Sequence, residues 1–75
     1  MFEIDVYTRT ANNQPFDIKT FKANDRAEAL TIVQNQSALL KKHVKHPRQI
    51  NNGTLLQFKT NRGNVYAEIE INKIQ

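Results

Sequence analysis

His43 and His46 are the only histidines in the chain. They stand three residues apart near the end of a helical pattern, a spacing at which two imidazoles can meet one metal ion. A zinc site needs a third or fourth ligand, and no acid or thiol lies between Glu28 and Glu68 to supply one locally. The pair therefore reads as solvated cations near a helix C-terminus, where the macrodipole favours them. The carboxylates come as Glu3/Asp5 and Glu68/Glu70, each two residues apart on an alternating stretch. General acid–base work needs a concave, partly dry pocket to move a carboxyl pKa, and alternation puts these pairs on a solvated face. With no cysteine there is no thiolate nucleophile, thiolate metal site or disulfide. Gly53 and Gly63 are isolated turn glycines, not a phosphate-cradling loop. The expectation is a non-catalytic protein with no metal, no cofactor and no small-molecule substrate.

The basic residues carry the strongest functional signal. Lys41, Lys42, Lys45 and Arg48 fall within eight residues, with both histidines among them. The net charge of +4 is unevenly spread. Residues 1–28 hold five acids and four bases, residues 29–67 six bases and no acid, and residues 68–75 two acids and one base. A helix returning antiparallel to the second strand brings Arg9 and the amides of Asn12, Asn13 and Gln14 beside Lys42, Lys45 and Arg48. Arg62 is expected at the opposite end. Such a pole attracts phosphates, so the first partner class is nucleic acid, bound through Arg9, Lys41, Lys42, Lys45 and Arg48. The competing reading is a merely solvated helix end. No helix-turn-helix, zinc-finger or double-stranded-RNA-binding order of elements is present, and no exposed aromatic platform for stacking bases.

A second class is a protein-interaction or dimerisation module without a nucleic-acid role. Its candidate residues are Ile32 and Leu39 on the helix flank, and Phe21, Leu55 and Tyr66 on the outer sheet face. Exposed first or last strands could also pair edge to edge.

The element that positions the basic cluster is one long helical pattern over residues 25–47. Asp25 and Glu28 have capping-box spacing, and neither Gly nor Pro interrupts before Pro47, which ends the run. At about 100° per residue, Ala29, Leu30, Val33, Ser37, Leu40 and Val44 share one quadrant. Ile32 and Leu39 lie on a flank.

Before the helix, residues 2–9 alternate, with Phe2, Ile4 and Val6 on one face. Residues 11–15 read as a turn. Residues 16–22 form a second strand with Phe16, Ile18 and Thr20 inward. Its register sets Val6 opposite Ile18, or, two residues along, Tyr7 opposite Lys19. Phe21 breaks the alternation and is outward or on a bulge. After the helix, two turn signals bracket a strand over 54–60, and a loop centred on Arg62-Gly63 pairs Phe58 with Ala67 and Leu56 with Ile69. Asn52-Gly53 can also turn a short strand, 48–50, back onto Leu55.

The predicted fold is α+β: a single domain, 1–75, with an antiparallel four-stranded sheet (ββαββ, plus that short strand if it forms) and one helix over one face. The expected core is Val6, Ile18, Leu30, Val33, Leu40, Phe58 and Ile69. The start MFEIDVY lacks the basic-then-apolar layout of a signal peptide, and no apolar run approaches transmembrane length. A cytoplasmic protein is expected, with no membrane partner.

Overall fold

A computed structural model describes residues 1–9 and 17–74. The elements are β1 (Phe2–Thr8), β2 (Asp17–Ala23), α1 (Arg26–Lys41), β3 (Arg48–Asn52), β4 (Leu55–Lys59) and β5 (Val65–Lys73). One antiparallel five-stranded sheet runs in the order β2-β1-β5-β4-β3. The short strand after the helix thus forms, extends to Asn52 and becomes an edge. The α+β class with one helix and an antiparallel sheet is as the sequence predicts. Among the described residues, no helix is long and apolar enough to cross a membrane.

The two strictly alternating stretches meet in the middle of the sheet. β1 pairs with β5 from Phe2↔Lys73 to Thr8↔Ala67. Ile4, Val6, Ala67 and Ile69 point to the helix side and are buried, joined there by Leu56 and Phe58 of β4. Phe58, Ile4 and Ile69 are the largest fully enclosed side chains. Each contributes roughly 1.5–3 kcal/mol of burial free energy. The β4–β5 register has Phe58 opposite Ala67 and Leu56 opposite Ile69, the pairing expected from matching apolar faces.

The helix starts as its sequence dictates. Asp25 is extended (φ −141, ψ 176), and its Oδ1 accepts from the Glu28 N–H at 2.8 Å. The Glu28 carboxylate reaches back to the Asn24 N–H at 3.4 Å. Its end departs from expectation. Lys41 is the last helical residue and Lys42 the cap, so residues 42–47 form a connecting segment. The Lys42 and His43 N–H groups bond back to Leu39 and Leu40 carbonyls in tight i→i+3 fashion. Stopping there leaves enough chain to cross to β3, which begins at Arg48.

β2 also differs. The register is Val6↔Lys19 and Tyr7↔Ile18, one residue away from each alignment expected, so the strand turns over. Ile18 is 59% exposed instead of being core, Thr20 is on the open face, and Phe21 faces inward without a bulge, opposite Ile4. Phe16 lies outside the described residues. The reason is at the strand's other end. Asn24 and Asp25 alone connect β2 to α1, so the last strand residues sit under the first helical turn. With Ile18 and Thr20 inward, Lys22 would be buried there. The observed register instead buries Ala23, small enough for close helix approach, and leaves Lys19 at the open end.

Leu30 is also 46% exposed, not core. The buried helix positions are Ala29, Val33, Ser37 and Leu40. The helix rests chiefly on β1 and β2 and less on β5. Ile32, on the flank opposite Leu30, packs against the core in its place.

The register has a direct test in chemical denaturation. Ala23→Leu overpacks the helix–sheet contact and should cost about 1–3 kcal/mol. Ile18→Ser should stay within about 0.5 kcal/mol of the parent. The reverse ranking would restore one of the other alignments.

Candidate anion-binding pole

One end of the sheet collects more chain than the sequence suggests. The end of β1 pairs with the start of β2 at Thr8↔Asp17, and the Arg9 N–H donates to the Tyr66 carbonyl at 2.9 Å. Because β5 runs antiparallel to β1, its first residues and the β4–β5 turn lie at this same end. The helix terminus and the start of β3 complete it.

Arg62 therefore sits at the basic pole, not at the opposite end as expected. A cleft of about 390 Å³ is lined by Val44, Lys45, His46, Thr60, Asn61, Arg62 and Asn64. Three basic side chains from two loops thus surround one hollow. Beside it, Arg48 at the start of β3 stands directly opposite Lys59 at the end of β4. Like charges in that position repel, and a bound anion would relieve the repulsion. Among the described residues, no carboxylate pairs with Lys45, Arg48, Lys59 or Arg62.

A larger groove of about 990 Å³ lies between the helix end and the sheet. Its apolar walls include Val6, Leu39, Val44, Val65 and Tyr66, and its polar lining includes Arg9, Asp17, Lys19 and His43.

The predicted cations divide accordingly. Lys45 lines the cleft, Arg48 stands opposite Lys59 on the β3–β4 pair beside it, and Arg9 lines the groove. Lys41 and Lys42, exposed on the helix end, line neither. The amides of Asn12, Asn13 and Gln14 fall outside the described residues. Sequence reasoning missed Lys19, Lys59 and Arg62. The signal available was the strict alternation of both the first and last strands, which marks them as central neighbours.

A β-bulge shapes this end. The β4–β5 register shifts between Phe58 and Lys59, which skips Tyr66. Tyr66, expected on the outer face, instead packs against the core and donates its hydroxyl to the Leu40 carbonyl at 3.0 Å. Its ring lies 6.4 Å from that of Phe58 at an interplanar angle of 59°. Of the other predicted interface residues, Phe21 and Ile32 also pack on the core. Leu55 is half-buried on the open face, and Leu39, 51% exposed, lines the groove. The five do not form one patch.

The acids lie elsewhere. Asp5 faces Glu70 across the β1–β5 pair on the open face, and Glu68 is opposite Tyr7. Asp5 accepts from the Thr20 hydroxyl at 2.9 Å and the Asn72 amide at 3.3 Å, and Glu68 accepts from the Gln57 amide at 3.2 Å. Desolvation raises the Tyr7 hydroxyl pKa, helped by Asp5, Glu70, Glu3 and Glu68. Among the described residues, no cluster of three or more His, Cys, Asp or Glu could hold a metal ion.

Comparison with protein-family models, with curated proteins and with solved structures finds no match to this chain.

Burial holds the Tyr66 hydroxyl above its ordinary pKa of 10.0, as it does that of Tyr7. At high pH the unfolded chain releases tyrosine protons that the folded chain keeps. Stability is thus unaffected by these groups at neutral pH and falls as pH rises from about 10 through the folded-state values. Tyr66→Phe should cost about 1 kcal/mol at neutral pH, measured by denaturant unfolding. It should also make the alkaline fall shallower.

Proposed function

We propose that this chain is a non-catalytic, cytoplasmic binding module for an anionic partner, nucleic acid first. The observation that carries the reading is the convergence of Lys45, His46 and Arg62 around one cleft, beside the opposed Arg48 and Lys59. Lysine supplies a point charge and arginine a planar fork of donors, both suited to phosphate oxygens. Asn61 and Asn64 add amide groups at the same hollow. Phe58 is fully buried and the Tyr66 ring is half-buried against the core, so neither forms an exposed base-stacking platform. The contact is therefore with backbone phosphates rather than with bases. The acids of the open face repel the same polyanion and leave the pole as its point of approach.

Fluorescence anisotropy with labelled duplex DNA and RNA over a salt series tests this. Three or four phosphate contacts predict a slope of log affinity against log salt of roughly −3 on duplex DNA. The triple variant Lys45→Glu, Arg48→Glu, Arg62→Glu should lose binding while its circular dichroism is unchanged, because all three residues are exposed. Absence of binding at low salt would end the nucleic-acid reading and turn the search to an acidic protein partner.

A further inference from the structure

We infer that β3 is a self-pairing edge, through which two copies of this chain join into one continuous ten-stranded sheet. This pairing is independent of what the basic pole binds. The two ends of the sheet, β2 and β3, each have one neighbour among the described residues. An open edge presents unpaired N–H and C=O groups, and folded chains commonly guard it with charge, proline or a bulge. β2 is guarded, since Lys19 and Lys22 project from its middle to opposite faces. β3 reads Arg-Gln-Ile-Asn-Asn, with its one charge at the first position and no proline. Its central residue, Ile50, is 43% exposed.

The β3 sequence is complementary to itself under a two-fold axis at Ile50. Antiparallel pairing about that residue sets Ile50 against Ile50 of the second copy, Gln49 against Asn51, and Arg48 against Asn52. No like charges meet. The same operation on β2, centred on Thr20, would set Lys22 against Ile18 and Lys19 against Phe21. Side-chain donors and acceptors match as well. Within one chain the Gln49 Nε2 donates to the Asn51 Oδ1 at 2.9 Å, which leaves the Gln49 Oε1 and the Asn51 Nδ2 without a partner among the described residues. In the two-fold register the Asn51 amide of each copy faces the Gln49 oxygen of the other, a reciprocal pair that an isologous contact makes twice. On the open face the two isoleucines bury each other. Antiparallel pairing sends the two Arg48 ends in opposite directions, so each copy keeps its own basic pole open.

Sedimentation velocity across micromolar to millimolar protein tests the inference. The parent chain should pass from monomer to dimer, and Ile50→Lys should weaken that association about tenfold or more by opposing two lysines on the axis. Ile50→Glu should do the same, and an equimolar mixture of the two variants should recover a heterodimer. Thr20→Lys, on the other edge, should leave dimerisation unchanged. Circular dichroism confirms that each variant is folded. A parent that stays monomeric throughout, a dimer that survives Ile50→Lys, or a mixture that fails to recover association would each overturn the proposal. If the parent is monomeric yet an unrelated extended peptide adds to β3, the edge belongs to another protein and the self-pairing is wrong.

Discussion

The pairing of the first strand with the last is the constraint from which the other features follow. Ile4 and Val6 on β1 stand opposite Ile71 and Ile69 on β5, and this central ladder carries two of the three largest fully enclosed side chains. Bringing residues near position 2 beside residues near position 73 closes almost the whole chain into one loop, a contact that rewards folding only late. Once made, it fixes β2 and β3 as the edges of the sheet. It also fixes the direction of β5, and with it the end at which the β4–β5 turn must lie. Arg62 reaches the helix terminus because of that direction, through no property of its own local sequence.

A single extra residue then ties the sheet to the helix. Without the shift between Phe58 and Lys59, period-two alternation would leave Tyr66 on the open face with Glu68 and Glu70. The bulge turns it over, and its hydroxyl meets the carbonyl of Leu40 in the last helical turn. That carbonyl already accepts from the His43 N–H in the tight terminal turn, and the tyrosine hydroxyl is its second donor, tying the helix end to β5. The helix stops, and residues 42–47 become a loop that can present Lys45 and His46 beside the β4–β5 turn. Sheet irregularity, helix length and cleft geometry are one linked arrangement.

Charge is segregated over the same frame. Asp5 and Glu70 oppose each other at the centre of the open face, and Arg48 and Lys59 oppose each other at the pole. Each pairing is unfavourable alone, and they differ in how they are supported. Asp5 is held by two hydrogen bonds from Thr20 and Asn72. The cations have no comparable acceptors among the described residues, and their repulsion is screened within about 8 Å at physiological salt. The chain thus presents a field with a negative face and a positive end, which orients an approaching charged partner before contact.

The sequence by itself determined what depends on neighbours along the chain. Asp25 and Glu28 set the helix start, Gly53 and Gly63 the turns at positive φ, and the alternation of β5 its buried face. The concentration of cations after Ala29 was legible for the same reason, since charge needs no partner to be counted. Tertiary structure decided what depends on two distant segments competing for one space. β2 offered two faces of similar apolarity, and the close approach of the helix chose Ala23 and Phe21 over Ile18 and Thr20 because a lysine would otherwise lie beneath the first turn. Leu30 lost its place to Ile32 on the other flank, with the small Ala29 and Ser37 buried where the helix meets the sheet. The helix end is anchored to the sheet by a tyrosine 26 residues away in sequence, and Arg62 is placed by a strand pairing that spans nearly the whole chain. Local periodicity specifies which residues share a face; only packing specifies which face is covered, and by what.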